Sequence, residues 1–312
     1  MLMGSVGKVP ANRPGRSIGK RKRSLFGVLC ALPAAILFVV FILLPSINVF
    51  RMSLFTWSGF SDNSTFVGLQ NFKILFKDMK FVQSFGNTLL LLVIVTCITL
   101  PVAVIFASIM VQNKIKGGSL LRFILYIPNV LSAVVIAAMF SAIYDQNTGL
   151  VNGTLGFLGL DALKRVWLGD QKIVIYSVAF AMIWQSVGYY MVMYMSAMTG
   201  IDREIYEAAQ IDGAGKARQL FSITLPLIWS NIRTTLTFFI MSSVNLSFVL
   251  VKAMTGGGPD NSSQVLLGYM YDQAYTNSSY GYGMAIGVII FIFSFVLSLV
   301  VSRVTWRPKL AN

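Results

Sequence analysis

The sequence predicts an all-α, polytopic membrane protein with six transmembrane helices. Three observations lead there. Of 312 residues, 56% are hydrophobic and 12% charged, with a mean hydropathy of +0.72, far from the usage of soluble globular chains. The apolar residues gather into six uncharged or nearly uncharged runs, and crossing a hydrocarbon core about 30 Å thick takes roughly 20 helical residues. These runs are continuous rather than alternating, which excludes the strands of a membrane barrel, about ten residues each. With no water to pair the backbone in lipid, helices remain.

The elements follow in order. Residues 1–24 form a basic tail with seven Lys and Arg, expected to be disordered or to lie on anionic headgroups. The first span covers 25–50; it is too long for a signal-peptide core of about 7–15 residues and lacks a small-x-small cleavage site, so it reads as uncleaved. An extracytoplasmic loop occupies 51–83. The core, 84–304, holds spans at about 86–111, 123–144, 173–199, 233–251 and 283–302, with a polar loop at 202–226, and a short tail, 305–312, closes the chain. Seventeen of the 25 Lys and Arg fall on the side of the termini and the 202–218 stretch, so the positive-inside rule makes both termini cytoplasmic. The other loops carry turn-rich pieces, "NTGLVNGTLG" and "TGGGPDNSS", and read as docking or lid surfaces. Gly283 and Gly287 fit a small-xxx-small contact in the last span. Pro101, Pro128 and Pro226 remove backbone donors and are candidate kinks.

Several chemistries are excluded. The net charge of +14 is spread in short segments between apolar runs, which argues against nucleic acid and for a lipid bilayer as the basic partner. There is no histidine and no Asp, Glu, Lys or Arg in the middle of any span, so a proton relay lacks its usual parts. Cys30 and Cys97 lie in apolar runs without metal-ligand spacing. "GAGK", Gly213 to Lys216, fails as a phosphate loop because Gln210 stands where the first glycine is needed and Ala217 where Ser or Thr must follow. No catalytic residues, metal site or cofactor emerge, and an uphill function would need a partner's energy.

Four of the eleven acids, Asp202, Glu204, Glu207 and Asp212, crowd into the 202–226 loop. "REIYEAAQID" reads as a short helix with Asp202 as N-cap, acids near the positive end of its dipole, and Gly213 at the left-handed C-terminal position. "KARQLFSITL" resumes a helical pattern up to Pro226, and Ala208 with Ala209 would leave a flat patch for another protein. The order Glu207, Ala208, Ala209, three residues, Asp212 among them, then Gly213, nine residues, Ile223, one residue, Leu225, Pro226 resembles the EAA loop of binding-protein-dependent ABC importer permeases. "FVGLQNF", "NTLL", "RFILYIPNVLS", "IWQSVGYYMVMYMSAM" and "TGGGPDNSSQVLLGYMYDQAY" extend the resemblance, from about Ser24 to Arg307, to the carbohydrate branch with its multiple-sugar, lactose and glycerol-phosphate permeases.

That resemblance implies a type-1 permease core and a cytoplasmic coupling helix that docks on a separate ATPase. It implies as partners a second homologous permease, two ATP-binding subunits, an extracytoplasmic sugar-binding protein and an oligosaccharide or other sugar; ATP and Mg would be used by the ATPase alone. It places the chain in the inner membrane of a prokaryote. An uncharged pathway suits an uncharged sugar, held by aromatic faces and neutral polar groups, which singles out Asn129, Trp184, Gln185, Tyr189, Tyr190, Ser243 and Asn245. Gly256, Gly257, Gly258 and Pro259 would face the binding protein. The rival readings are a gradient-driven sugar carrier, expected to show inverted repeats or midspan charges, and a non-transporting scaffold.

Overall fold

The computed structural model describes residues 29–59, 63–112 and 116–305. The basic tail 1–24, the start of the first span and Arg307 and Lys309 of the second tail lie outside the described residues. The chain divides after Arg51 into two compact units. The first is built on helix α1, Leu29–Met52, whose 24 residues rise about 36 Å. A π-helical turn, Val39–Leu43, precedes Pro45, and Leu44 N–H reaches back to Val39 O. Widening the helix there relieves the clash that a proline ring makes with the preceding turn.

The second unit opens with a small antiparallel hairpin, β1 (Phe55–Thr56) on β2 (Thr65–Phe66). The buried Asn71 of α2 (Gln70–Leu75) pins it by donating from Nδ2 to Ser53 O at 2.8 Å and Phe55 O at 3.0 Å. Helix α3, Met79–Gln112, then runs 34 residues and passes through Pro101 without ending. Next come α4 (Gly118–Val130), α5 (Ala133–Ile143), α6 (Leu150–Phe157) and the long α7 (Val174–Thr199). After them stand α8 (Arg203–Ile211), α9 (Lys216–Gln219), a π-helical turn (Leu220–Thr224) and α10 (Leu225–Leu227). Last among the described elements are α11 (Trp229–Met254), α12 (Leu266–Tyr271) with a third π-helical turn (Asp272–Thr276), and α13 (Tyr280–Val304).

Among the described residues five helices, α1, α3, α7, α11 and α13, are long and apolar enough to cross a membrane, or six if α4 and α5 count as one span. Residues 123–144, read above as one span, fall on α4 and α5, which meet at 101°. Pro128 lies two residues before the end of α4, and Leu131 and Ser132 are extended, with ψ of 145° and 139°. A proline that cannot donate, followed by two extended residues, ends one helix and starts another in a new direction.

Helix α7 is the centre of the unit and is buried on nearly all sides. Leu91 and Val95 of α3, Ile136 and Phe140 of α5, Met182 and Tyr194 of α7 and Phe239 and Leu250 of α11 share one core with it. Helix α4 crosses α7 at Gly188, where a Cβ would stand 1.8 Å from Leu125 O, so only a glycine admits this approach. A second core joins Leu75, Phe81, Leu266, Tyr269, Ala285 and Ile286. Gly283 does serve packing, but its neighbour is Ala274 of the π-helical turn Asp272–Thr276 rather than another span. Trp229 Nε1 donates to Thr305 O and Arg233 Nη2 to Ser302 Oγ, at 2.9 and 2.8 Å, tying the start of α11 to the end of α13.

Candidate functional site

The acid-rich loop folds as two helices around a glycine turn. Asp202 occupies the N-cap position of α8, but its side chain makes no capping bond; its carbonyl instead accepts Ile205 N–H at 3.2 Å. At the other end Gly213 has φ +76°, Gly213 N–H donates to Gln210 O at 3.0 Å and Ala214 N–H to Ala209 O at 2.8 Å. These are the two bonds of a Schellman turn, which closes the orphan carbonyls of the helix and needs a residue free to take positive φ. Glu204, Glu207, Ala208 and Ile211 lie at helical spacing and are exposed, with Ile211 at 88%. Glu207 Oε1 pairs with Arg203 Nε at 2.8 Å, an exposed i,i+4 ion pair worth at most about 0.5 kcal/mol. The expected flat patch is half realised, since Ala208 is exposed whereas Ala209 turns half inward. Asp212 caps α8 from the exposed side, and Ile223, Leu225 and Pro226 are half-buried on the way into α11. Pro226 lies in the first turn of α10, where its missing N–H is harmless.

Three residues that spacing did not point to bind this loop together. Tyr206 Oη lies 2.9 Å from Thr224 Oγ1, Thr224 Oγ1 lies 3.3 Å from Gln219 O, and Gln219 Nε2 donates to Ala214 O at 2.8 Å. Gln219 and Thr224 are buried. Phe221, 69% exposed, adds an apolar side chain beside them. A tyrosine next to Glu207 was the only visible hint, because nothing in the pattern names a partner eighteen residues on.

The candidates within the spans separate into two sets. Gln185 and Ser243 are buried at 7% and 2% exposure, and Gln185 Oε1 and Ser243 Oγ have no hydrogen-bond partner among the described residues. Tyr190 is buried edge-on against Phe239, with ring centroids 4.8 Å apart. Trp184, Tyr189 and Asn245 keep exposed surface, Trp184 packing edge-on to Phe140 at 5.5 Å. Asn129 is half-buried one residue before the end of α4, beside the corner. On α11 the split is one of rotation: Phe239, Ser243, Ser247 and Leu250 form the buried face, and Phe238, Met241, Asn245 and Lys252 the exposed one.

At the opposite end of the bundle, Gly256 is exposed and Gly258 and Pro259 are half-buried, but Gly257 is buried against the Gln264 side chain and presents no surface of its own. This turn is braced from α3, where Asn87 Nδ2 donates to Asn261 O and Gln264 O at 3.2 and 3.0 Å, and Thr88 Oγ1 accepts Leu266 N–H at 2.9 Å. Lys252 Nζ pairs with Asp272 Oδ1 at 2.7 Å and sits 4.9 Å from the ring centre of Tyr271. Just before α3, Asp78 Oδ2 accepts the hydroxyls of Tyr269 and, at 2.7 Å, Tyr282. Burial pushes the Asp78 carboxyl up, but these hydroxyls and the backbone N–H groups of Lys80 and Phe81 outweigh it and hold it below the usual carboxylate range. The piece "NTGLVNGTLG" is likewise folded, not loose. Buried Asn152 donates from Nδ2 to Gln146 O and Arg165 O, and its Oδ1 accepts Trp167 Nε1–H at 2.9 Å and Arg165 N–H at 3.3 Å.

Residues 99–305 match the family model described as the binding-protein-dependent transport system inner membrane component. The chain is 38% identical over 271 residues to the probable ABC transporter permease protein YurN of Bacillus subtilis, covering 85% of this chain and 91% of the relative. It is 34% identical to the diacetylchitobiose uptake system permease protein NgcF of Streptomyces coelicolor, covering 94% and 86%, and 32% identical to the multiple sugar-binding transport system permease protein MsmF of Streptococcus mutans, covering 85% and 89%. Its fold is shared with a chain of a bacterial ABC transporter involved in import of the acidic polysaccharide alginate, at a TM-score of 0.80 over 92% of this chain and 96% of that one, with 24% identity.

Proposed function

The chain belongs to the family of binding-protein-dependent transport system inner membrane components, and from that premise we propose that it forms half of the translocation pathway of an ATP-driven sugar importer. As the permease component it is not itself the ATPase. Relatives named for diacetylchitobiose and multiple sugars support a saccharide as the ligand, as does a pathway without midspan charge. The observation that carries the coupling role is the 202–226 loop. Its exposed stripe Glu204, Glu207, Ala208 and Ile211 offers a mixed acidic and apolar face to another protein, and one short segment joins that face to α11.

In this reading the loop and both termini are cytoplasmic, and a second, homologous permease brings its own loop to the second ATP-binding subunit. Nucleotide-driven closure of the two ATPases pulls on α8, the helices switch the cavity from inward- to outward-facing, and the binding protein delivers sugar at the end carrying Gly256 and Pro259. Asn245, Trp184 and Tyr189 keep surface for a ligand. The unpartnered oxygens of Gln185 and Ser243 would gain partners when α7 and α11 part.

Reconstitution of the chain with its ATPase, second permease and binding protein in liposomes tests this. Uptake must require ATP and the ATPase, and Asn245→Ala must lower uptake at limiting sugar while the complex still assembles. Gradient-driven uptake by the chain alone would overturn the reading.

A further inference from the structure

Helix α8 has no buried residue, so packing does little to hold it. What fastens it is a closed circuit of hydrogen bonds. The Thr224 hydroxyl lies 3.3 Å from Gln219 O and 2.9 Å from the hydroxyl of Tyr206, which stands mid-helix in α8. The Gln219 side chain then donates to Ala214 O, and Ala214 N–H returns to Ala209 O in α8. The circuit thus grips α8 at two places, Tyr206 from the side and Ala209 through the glycine turn. Its far corner, Thr224, is the last residue of the π-helical turn, directly before Leu225 and Pro226.

That position decides what the circuit can do. The glycine turn at Gly213 and the π-helical turn Leu220–Thr224 both interrupt regular α-helix between α8 and α10, so the backbone between them is the natural place for motion to be lost. A bond from the middle of α8 to Thr224 bypasses the glycine turn and delivers displacement of α8 directly to the residue that begins the rigid path through Leu225, which packs on the main core, into α11.

We propose that Tyr206 and Thr224 are positioning residues for energy coupling: their hydroxyl pair makes α8 and the entry to α11 move as one body. The proposal rests on the reading of α8 as the segment that meets the ATPase. Neither residue lies on the exposed stripe of α8, so removing the bond leaves the docking face in place.

The test uses the whole complex in proteoliposomes and reads sugar taken up per ATP hydrolysed. Tyr206→Phe and Thr224→Val each delete one hydroxyl at nearly constant shape. With the net value of one hydroxyl bond at stake, each lowers the ratio roughly two- to tenfold. The double variant lowers it no further than Thr224→Val alone, since that single already breaks the bond that Tyr206→Phe removes. Thr224→Ser, which keeps the hydroxyl, restores the wild-type ratio, and the ATPase co-purifies with all variants. An unchanged ratio in Tyr206→Phe, additive losses in the double variant, or loss of the ATPase from the complex each overturns the latch. Absence of ATP-dependent uptake by the wild-type complex instead overturns the functional reading, and the latch with it.

Discussion

Gly188→Ala is the substitution whose cost the structure states most directly. The added methyl would stand 1.8 Å from Leu125 O, 2.5 Å from Leu125 C and 2.9 Å from Tyr126 Cα. A carbon and a carbonyl oxygen settle at about 3.3 Å, so α4 has to retreat from α7 by about 1.5 Å. All three obstructing atoms are backbone, so no side chain can rotate away, and the corner between α4 and α5 shifts with them. Overpacking of this kind costs up to about 3 kcal/mol. For a unit of this size that is roughly 6–12 °C in the unfolding midpoint. The assay is thermal unfolding of the purified complex in detergent, followed by intrinsic fluorescence, with Gly86→Ala in α3 as the control. Nothing lies within 4 Å of a Cβ at Gly86, so that change leaves stability equal or raises it by about 0.5–1 kcal/mol through helix propensity. Equal midpoints for the two variants would refute the close α4–α7 crossing.

Two further outcomes follow from the same geometry. Asn152→Ala strips partners from the Trp167 indole and from two carbonyls in a buried setting, a loss of about 2–4 kcal/mol locally, and faster hydrogen exchange across residues 145–172 checks it. For Asp78, the folded carboxyl is held below its unfolded value, so its contribution is present above the ordinary carboxylate range and disappears as pH falls through the depressed folded value. Exchange at residues 266–284 rises on that descent in the wild type; Asp78→Asn shows raised exchange already at neutral pH and no pH step.

Much of the 202–226 loop was legible because its signals are local. Gly213 reads as a left-handed C-terminal residue from its place after a helical run, and its φ of +76° is a property of that turn alone. The corner at Leu131 and Ser132 was invisible to hydropathy, since residues 123–144 are apolar throughout and apolarity is the same in a straight helix and in a bent one. Only Pro128 hinted at it, and Pro101, equally visible, leaves α3 unbroken. The circuit through Tyr206, Gln219 and Thr224 escaped for a different reason. Each residue is unremarkable by type, and the bond between the first and last depends on how a turn brings two helices together.

Ser243 and Asn245 show where the division falls. Both are neutral polar residues in one apolar helix, and by composition alone both are candidates for a sugar path. Two residues along an α-helix are about 200° of rotation, so once Phe239 and Leu250 face the core, Ser243 is inside with them and Asn245 is out. The sequence by itself determined which segments are apolar enough to cross a membrane, the asymmetry of basic charge and the glycine turn at Gly213, because transfer free energy, charge count and turn chemistry add up residue by residue along the chain. Only the tertiary structure decided which face of each helix is buried, where α4 ends and how α8 is tethered, because those depend on the rotation and crossing of helices against distant neighbours, and no sum along the chain contains them.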